Sequence, residues 1–238
     1  MLDRGGLYKT VKFKDPVYVG DPVNAVKIFN EKFADELLLL DYTASAGNRP
    51  IDFKKIAEIA GEAFMPMAYG GGIKTFDDAK KVFEAGFEKV VLNTSLFSSL
   101  SIVDEIASVY GAQSVVASID AKRGLFGGYR VFNRSGARIS IKDPAAWAKK
   151  LEDAGAGEII INVVDKDGTW TGYELSLLTE VAQAVNVPVV ACGGAASIDD
   201  FRDAIKAGAS AVAAGSMFVF QKKGMGVLIN FPADQLKM

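Results

Sequence analysis

Two stretches of this chain, 122 residues apart, carry the same pattern in the same order and without a gap. Pro66-Met-Ala-Tyr-Gly-Gly-Gly72 matches Pro188-Val-Val-Ala-Cys-Gly-Gly194. Asp77-Asp78 then matches Asp199-Asp200, Ala85-Gly86 matches Ala207-Gly208, and Asn93-Thr94 matches Gly215-Ser216. The offset is constant (188 − 66 = 122; 216 − 94 = 122) and also relates Glu36 to Glu158. Two homologous halves of four βα units each close into one ring more naturally than into an open sheet.

The rest of the pattern agrees with such units. Leu37–Asp41, Met65–Gly70, Val90–Asn93, Ser114–Asp120, Glu158–Val164, Val187–Cys192 and Ala211–Gly215 are short apolar runs. They do not alternate apolar with polar, as expected of parallel strands covered on both faces. Between them the spacing predicts amphipathic helices over Pro22–Lys32, Phe53–Ala60, Phe76–Ala85, Ser101–Tyr110, Pro144–Ala154, Glu174–Ala184 and Ile198–Ala207. Asp21, Thr75 and Ser197 stand where N-caps belong, and Gly86, Gly111, Gly155 and Gly208 where helices stop. No Pro- or Ser-rich linker interrupts the series. One domain over residues 1–238 is expected, of the α/β class: a (β/α)8 TIM barrel built from two half-barrels.

One strand is short of the count. Seven runs are visible where eight are needed, and the repeat puts the mate of Asp120 before the chain begins (120 − 122 = −2). Either Leu7–Phe13 supplies the first strand, or the chain as given lacks it. Without it, Leu37–Asp41 and Ala211–Gly215 become facing edges with unpaired backbone groups. Such edges invite local pairing or a neighbouring chain.

Composition narrows the chemistry. The chain has no histidine, which excludes Ser-His-Asp triads, HExxH zinc sites and a histidine base. Proton transfer must rest on Asp, Glu, Lys, Cys or Tyr. The single cysteine, Cys192, excludes an internal disulfide and a CxxC metal site. Flanked by Ala191 and Gly193, it fits core filling better than nucleophilic work. A net charge of −2 points to neither nucleic acid nor an acidic membrane surface. No apolar run reaches the roughly 18 residues of a membrane span, and Met1–Lys9 resembles no signal peptide. A cytoplasmic location is the expectation. Neither GxGxxG nor GxxxxGK[ST] occurs, so no dinucleotide or nucleotide cofactor is expected, and no metal.

Active sites of βα barrels lie at the C-terminal strand ends. There the duplicated glycines and hydroxyls predict two oxyanion sites: Gly72, Asn93 and Thr94 in one half, Gly194, Gly215 and Ser216 in the other. The same glycines also serve plain tight turns. Asp120 ends its apolar run at this mouth and is the candidate acid–base group. Asp41, Thr43 and Asp165-Lys-Asp-Gly-Thr169 lie beside it, either as further donors and proton carriers or as turn formers. Glu36, Lys89 and Glu158 begin their strands at the opposite end. They are either solvated or a ring of charge across the barrel floor.

Taken together, Asp41-Tyr-Thr-Ala-Ser45, Gly70-Gly-Gly-Ile73, Asn93-Thr94, Ile119-Asp-Ala-Lys-Arg123, Asp165-Lys-Asp-Gly-Thr169, Gly172-Tyr173 and Gly193-Gly-Ala195 resemble the cyclase subunit of imidazole glycerol phosphate synthase. The resemblance covers nearly the whole chain. It implies a lyase that takes ammonia from a partner glutaminase along the barrel axis. It also implies a bisphosphorylated aminoimidazole-carboxamide ribulosyl substrate. Carried over residue by residue, it places one phosphate on Gly72, Asn93 and Thr94. Asp167, Gly168, Gly194, Gly215 and Ser216 line the other end, and Lys9 is the mobile-loop lysine. Asp120 is one of two catalytic aspartates, with Asp167 as a second proton carrier, and Glu36, Lys89 and Glu158 are ammonia-gate residues. The other catalytic aspartate and the gate arginine belong on the first strand, where only Met1 and Asp3 stand. Gly6–Lys14 and Val227–Pro232 look most like a divergent branch linked to amidation of surface-polysaccharide sugars. A histidine-pathway cyclase, a non-catalytic ammonia conduit and a phosphoribosyl isomerase remain the alternatives.

Overall fold

The structure is a computed structural model and describes residues 1–45, 47–124, 127–133 and 141–236. The chain opens with a short strand β1 (Leu2–Asp3) and an antiparallel hairpin of β2 (Gly6–Val11) and β3 (Lys14–Gly20). Then follow α1 (Pro22–Glu31), β4 (Leu37–Leu40), α2 (Phe53–Ala60), β5 (Met67–Gly70), α3 (Phe76–Glu84), β6 (Lys89–Leu92) and α4 (Ser101–Tyr110). Next come β7 (Val115–Arg123), its antiparallel partner β8 (Tyr129–Val131), α5 (Pro144–Asp153), β9 (Glu158–Val163) and α6 (Leu175–Ala184). The chain ends with β10 (Val189–Cys192), α7 (Ile198–Lys206), β11 (Ala211–Ala213), α8 (Ser216–Val219) and α9 (Ala233–Leu236).

The seven apolar runs form one parallel sheet in the order β4-β5-β6-β7-β9-β10-β11, with helices between successive strands. This is the (β/α)8 TIM-barrel class. Both faces of the sheet are covered. Outward residues such as Leu39, Met67, Val90, Val115, Ile159 and Val189 pack under the helices. Inward residues Ala68, Val91, Val116, Ile160 and Val190 form a separate interior cluster with Leu38, Leu40, Cys192 and Ala213 around it.

The repeat survives at the level of single bonds. Thr75 and Ser197 each cap their helix by accepting from the backbone N–H of Asp78 and Asp200, and those aspartates reach back to the cap. The two capping boxes are 122 residues apart, as are the left-handed glycines Gly86 and Gly208 that follow the helices (φ 101° and 105°).

Residues Leu7–Phe13 do not supply the missing barrel strand. They belong to the hairpin, where β2 pairs with β1 and β3. Among the described residues, strand pairing between β1 and the barrel wall is one parallel bridge, Leu2 to Asp41. Among the described residues β4 and β11 are therefore the end strands of the sheet. The hairpin turn is unusual: Lys12 and Phe13 both take left-handed backbone (φ 53° and 60°), the geometry that normally selects Asn-Gly. Strand β7 also runs three residues beyond the expected Asp120, to Arg123, because β8 pairs with its end.

Thr75→Ala and Ser197→Ala should each cost about 1 kcal/mol of unfolding free energy. Because the two helices cap independently, the double variant should lose the sum, read from denaturant midpoints at unchanged slope.

Candidate functional site

The strand ends at the mouth converge because each βα turn passes backbone close against its neighbour. A Cβ on Gly71 would overlap the Asp41 carbonyl, and one on Gly194 would overlap the Gly172 carbonyl. Both glycines have positive φ, at 122° and 109°. No other residue meets both requirements. Gly72 follows with its N–H 3.3 Å from Ser45 Oγ.

Asp120 stands at the centre. Its two carboxylate oxygens accept from two amides: Asn93 Nδ2 at 3.0 Å on one and Asn162 Nδ2 at 2.8 Å on the other. Sequence reasoning missed Asn162. The signal was one polar residue inside Ile159-Ile-Ile-Asn-Val163, in the row whose partner across the sheet is Asp120. The Asn93 side chain is thus engaged with Asp120. Thr94 starts a single 3-10 turn and Ser216 starts α8, neither with a side-chain cap. The residues before them share similar backbone, Asn93 at φ −141°, ψ −79° and Gly215 at φ −118°, ψ −67°. The duplicated signature therefore produces the same local geometry twice.

The hairpin lies over this mouth. Lys9 Nζ reaches Asp167 Oδ1 at 3.1 Å, Thr10 Oγ1 lies 3.4 Å from Oδ2, and the Lys12 N–H donates to the Asp167 carbonyl at 2.9 Å. Lys9 and Asp167 are both buried. Gly168 makes the approach possible, because a Cβ there would overlap the Thr10 carbonyl. The end of Lys9 also sits over Gly215, 3.3 Å from where a Cβ would lie.

Asp41 works locally. It accepts from the N–H groups of Thr43 (3.2 Å) and Ala44 (3.0 Å), shaping its own turn, and pairs with Arg49 at 3.1 Å. Asp3 joins the same cluster, accepting from Thr43 Oγ1 at 2.7 Å and lying 3.4 Å from Arg49. Arg49 in turn donates to Thr43 Oγ1. Asp165 accepts from the Arg123 N–H at 2.8 Å.

At the floor, Lys89 Nζ donates to Glu36 at 3.0 Å and to Glu158 at 2.9 Å. Partial burial pulls the ammonium's pKa down, but bonds to Glu158 and Glu36 outweigh that and hold it above the ordinary lysine value. A cavity of about 650 Å³ joins the two ends. Glu36, Glu158 and Ser210 line it at the floor, and Asn93, Asp120 and Gly194 at the mouth. Among the described residues no cluster of acidic or cysteine side chains fits a metal ion, and no helix is long and apolar enough to cross a membrane.

A duplicated βα barrel with glycine turns around a central carboxylate defines the class of protein. The chain belongs to the histidine biosynthesis protein family, whose model matches residues 5–223. It is 52% identical to a Pseudomonas aeruginosa protein provisionally named imidazole glycerol phosphate synthase subunit hisF2, over 98% of this chain and 93% of that protein. A Vibrio vulnificus protein provisionally named subunit hisF3 is 43% identical over 100% of the chain and 92% of its own length. The imidazole glycerol phosphate synthase subunit HisF of Streptomyces coelicolor is 41% identical over 92% of the chain and 87% of its own length.

Cys192 lines the cavity, its remaining exposure facing inward. Burial pushes its thiol up to about 12, and the Asp167 carboxylate adds to the rise. Native Cys192 should therefore resist iodoacetamide at pH 8 and react at least about tenfold faster in urea, where the thiol returns to its ordinary range. Mass spectrometry of time points reads the difference.

Proposed function

We propose that this chain is a cyclase-type synthase subunit that receives ammonia at its floor from a glutaminase partner and uses it at its mouth. The observation that carries this reading is the continuous cavity from the Glu36–Lys89–Glu158 cluster to Asp120. The names of the relatives, subunits of imidazole glycerol phosphate synthase, support it. In this reading Asp120 is the principal acid–base group. Asp167 is the second proton carrier, in reach of Lys9. Backbone N–H groups around Gly72, Asn93 and Thr94 take one phosphate of a bisphosphorylated substrate. Gly168, Gly194, Gly215 and Ser216 take the other, with Lys9 closing over it. Glu36, Lys89 and Glu158 are the gate, and the floor around them, with Glu88, is the docking face.

Within this class the branch linked to sugar amidation is favoured over a histidine-pathway cyclase. The supporting observation is that Asp3, the carboxylate nearest the family's other catalytic position, is committed to Thr43 and Arg49. The reading treats residues 1–238 as one domain without a resident cofactor, and places the protein in the cytoplasm.

Asp120→Asn should lower ammonium-dependent turnover of the aminoimidazole-carboxamide ribulosyl substrate by about 100-fold or more. Turnover that survives this change defeats the acid–base assignment.

Lys89→Glu separates the two ends. With the partner glutaminase present, it should depress glutamine-dependent activity while leaving ammonium-dependent activity within about twofold. Equal loss of both would show that Lys89 is not a gate.

A further inference from the structure

Asn162 is 8% exposed, and its amide nitrogen is given to one oxygen of Asp120 at 2.8 Å. The other oxygen takes the Asn93 amide at 3.0 Å. Asn162 and Asp120 are direct partners in the β7–β9 ladder, so the pairing is built into the strand register rather than left to a loop. Asn162 Oδ1, by contrast, is buried and has no hydrogen-bond partner among the described residues. Gly193 leaves the space it occupies, since a Cβ there would come within 2.7 Å of that oxygen. A buried amide oxygen without a partner is costly. Turning the amide over would be worse, setting its oxygen against the carboxylate. The fold thus accepts an unpaired carbonyl in order to keep an N–H on Asp120.

We propose that Asn162 is a positioning residue that, with Asn93, holds Asp120 as an oriented carboxylate, so that Asp120 takes a proton from the substrate rather than giving one. Hydrogen-bond donors aimed at a carboxylate favour its charged form. Each carboxylate oxygen accepts more than one bond, so an amide on each orients the group without closing it to a substrate proton. Strand β9 cannot drift without carrying Asn162 away from Asp120, which makes the contact rigid. The inference rests on the reading of Asp120 as the acid–base group.

Among the described residues, several other charged and titratable groups approach Asp120. Cys192 faces it from β10, and Lys9 paired with Asp167 approaches from the hairpin and the turn after β9. Lys122 and Arg123 continue its own strand, with Arg130 on β8 paired to Lys122, and Asp165 bonds the Arg123 backbone. Lys89 and Glu158 lie at the floor ends of β6 and β9. A substitution at 162 alters none of these residues.

The test uses the full chain with aspartate carboxyl carbons labelled for NMR, the Asp120 signal being assigned by its loss in Asp120→Asn. In Asn162→Leu the titration midpoint of Asp120 should rise by about one pH unit or more, the loss of one bond to a charged group. Asn162→Asp keeps the side chain's shape and covers the case where the leucine variant fails to fold. There the adjoining carboxylates should raise the first midpoint met from high pH. In ammonium-dependent turnover, either variant should lower kcat about tenfold or more with KM within about twofold. An Asp120 midpoint that stays put in the folded variants, or a change confined to KM, overturns the proposal. Full turnover by Asp120→Asn would instead remove the acid–base reading, so the two failures are distinguishable.

Discussion

A parallel sheet buried on both faces leaves polar side chains only the two ends of each strand. Side chains alternate between faces, so the inward row of each strand is readable residue by residue. On β6 it is Lys89 and Val91, with Asn93 just past its end; on β9 it is Glu158, Ile160, Asn162. On β7 it is Val116, Ser118, Asp120, and on β4 Leu38 and Leu40 face inward, with Glu36 just before the strand. Charge at the floor, hydrocarbon or a small hydroxyl in the middle and polar groups at the mouth share the same faces. The Lys89–Glu36–Glu158 cluster and the Asn93–Asp120–Asn162 cluster are therefore two ends of one set of rows. Interior packing between them fixes their relative positions, and a one-residue slip in any strand would turn both ends of that row outward.

The mouth imposes a second constraint, because turns from different strands crowd over one opening. Glycine answers it where backbone meets backbone, at Gly71, Gly168 and Gly194. The hairpin can lie over the mouth because Gly168 lets the Thr10 carbonyl approach, and it stays there through Lys9 and Asp167. The Lys9 ammonium, shielded from water, lies beside Gly215 at the start of α8. Asp167 neutralises that charge at 3.1 Å.

The barrel and its twofold repeat were legible because they are written in local chemistry. Continuous apolar runs, caps such as Thr75 and Ser197, and glycines such as Gly86 and Gly208 each state their own structure. The hairpin was not legible. Its turn places Lys12 and Phe13 in left-handed backbone with no glycine or asparagine, so the usual signal is missing and tertiary contact with Asp167 dictates the shape. The residues that converge on the mouth were mostly visible as strand-end residues, Asp120 foremost. Asn162 was hidden, because a polar residue near the end of an isoleucine run reads as incidental until the register sets it beside a carboxylate. Asn93 stood out for its repeat position beside Thr94, yet its side chain turns inward to Asp120.

The middle of the inward rows decides what could travel between the ends. Ala68, Val91, Val116, Ile160 and Val190 present methyl and methylene groups, and Ser118 adds one small hydroxyl. An ion entering this belt would lose its water and meet no opposite charge before the mouth, at a cost of many kcal/mol. A small neutral amine loses only a few hydrogen bonds and recovers some at Ser118, Asn93 and Asp120. The floor cluster strengthens the distinction. Lys89 neutralises one of the two carboxylates of Glu36 and Glu158, so the cluster carries a net charge of about −1. Such a rim favours a cation over an anion, and the belt beyond favours a neutral molecule over either. The alternation of side chains along the strands thus sets a charged rim before an apolar bore.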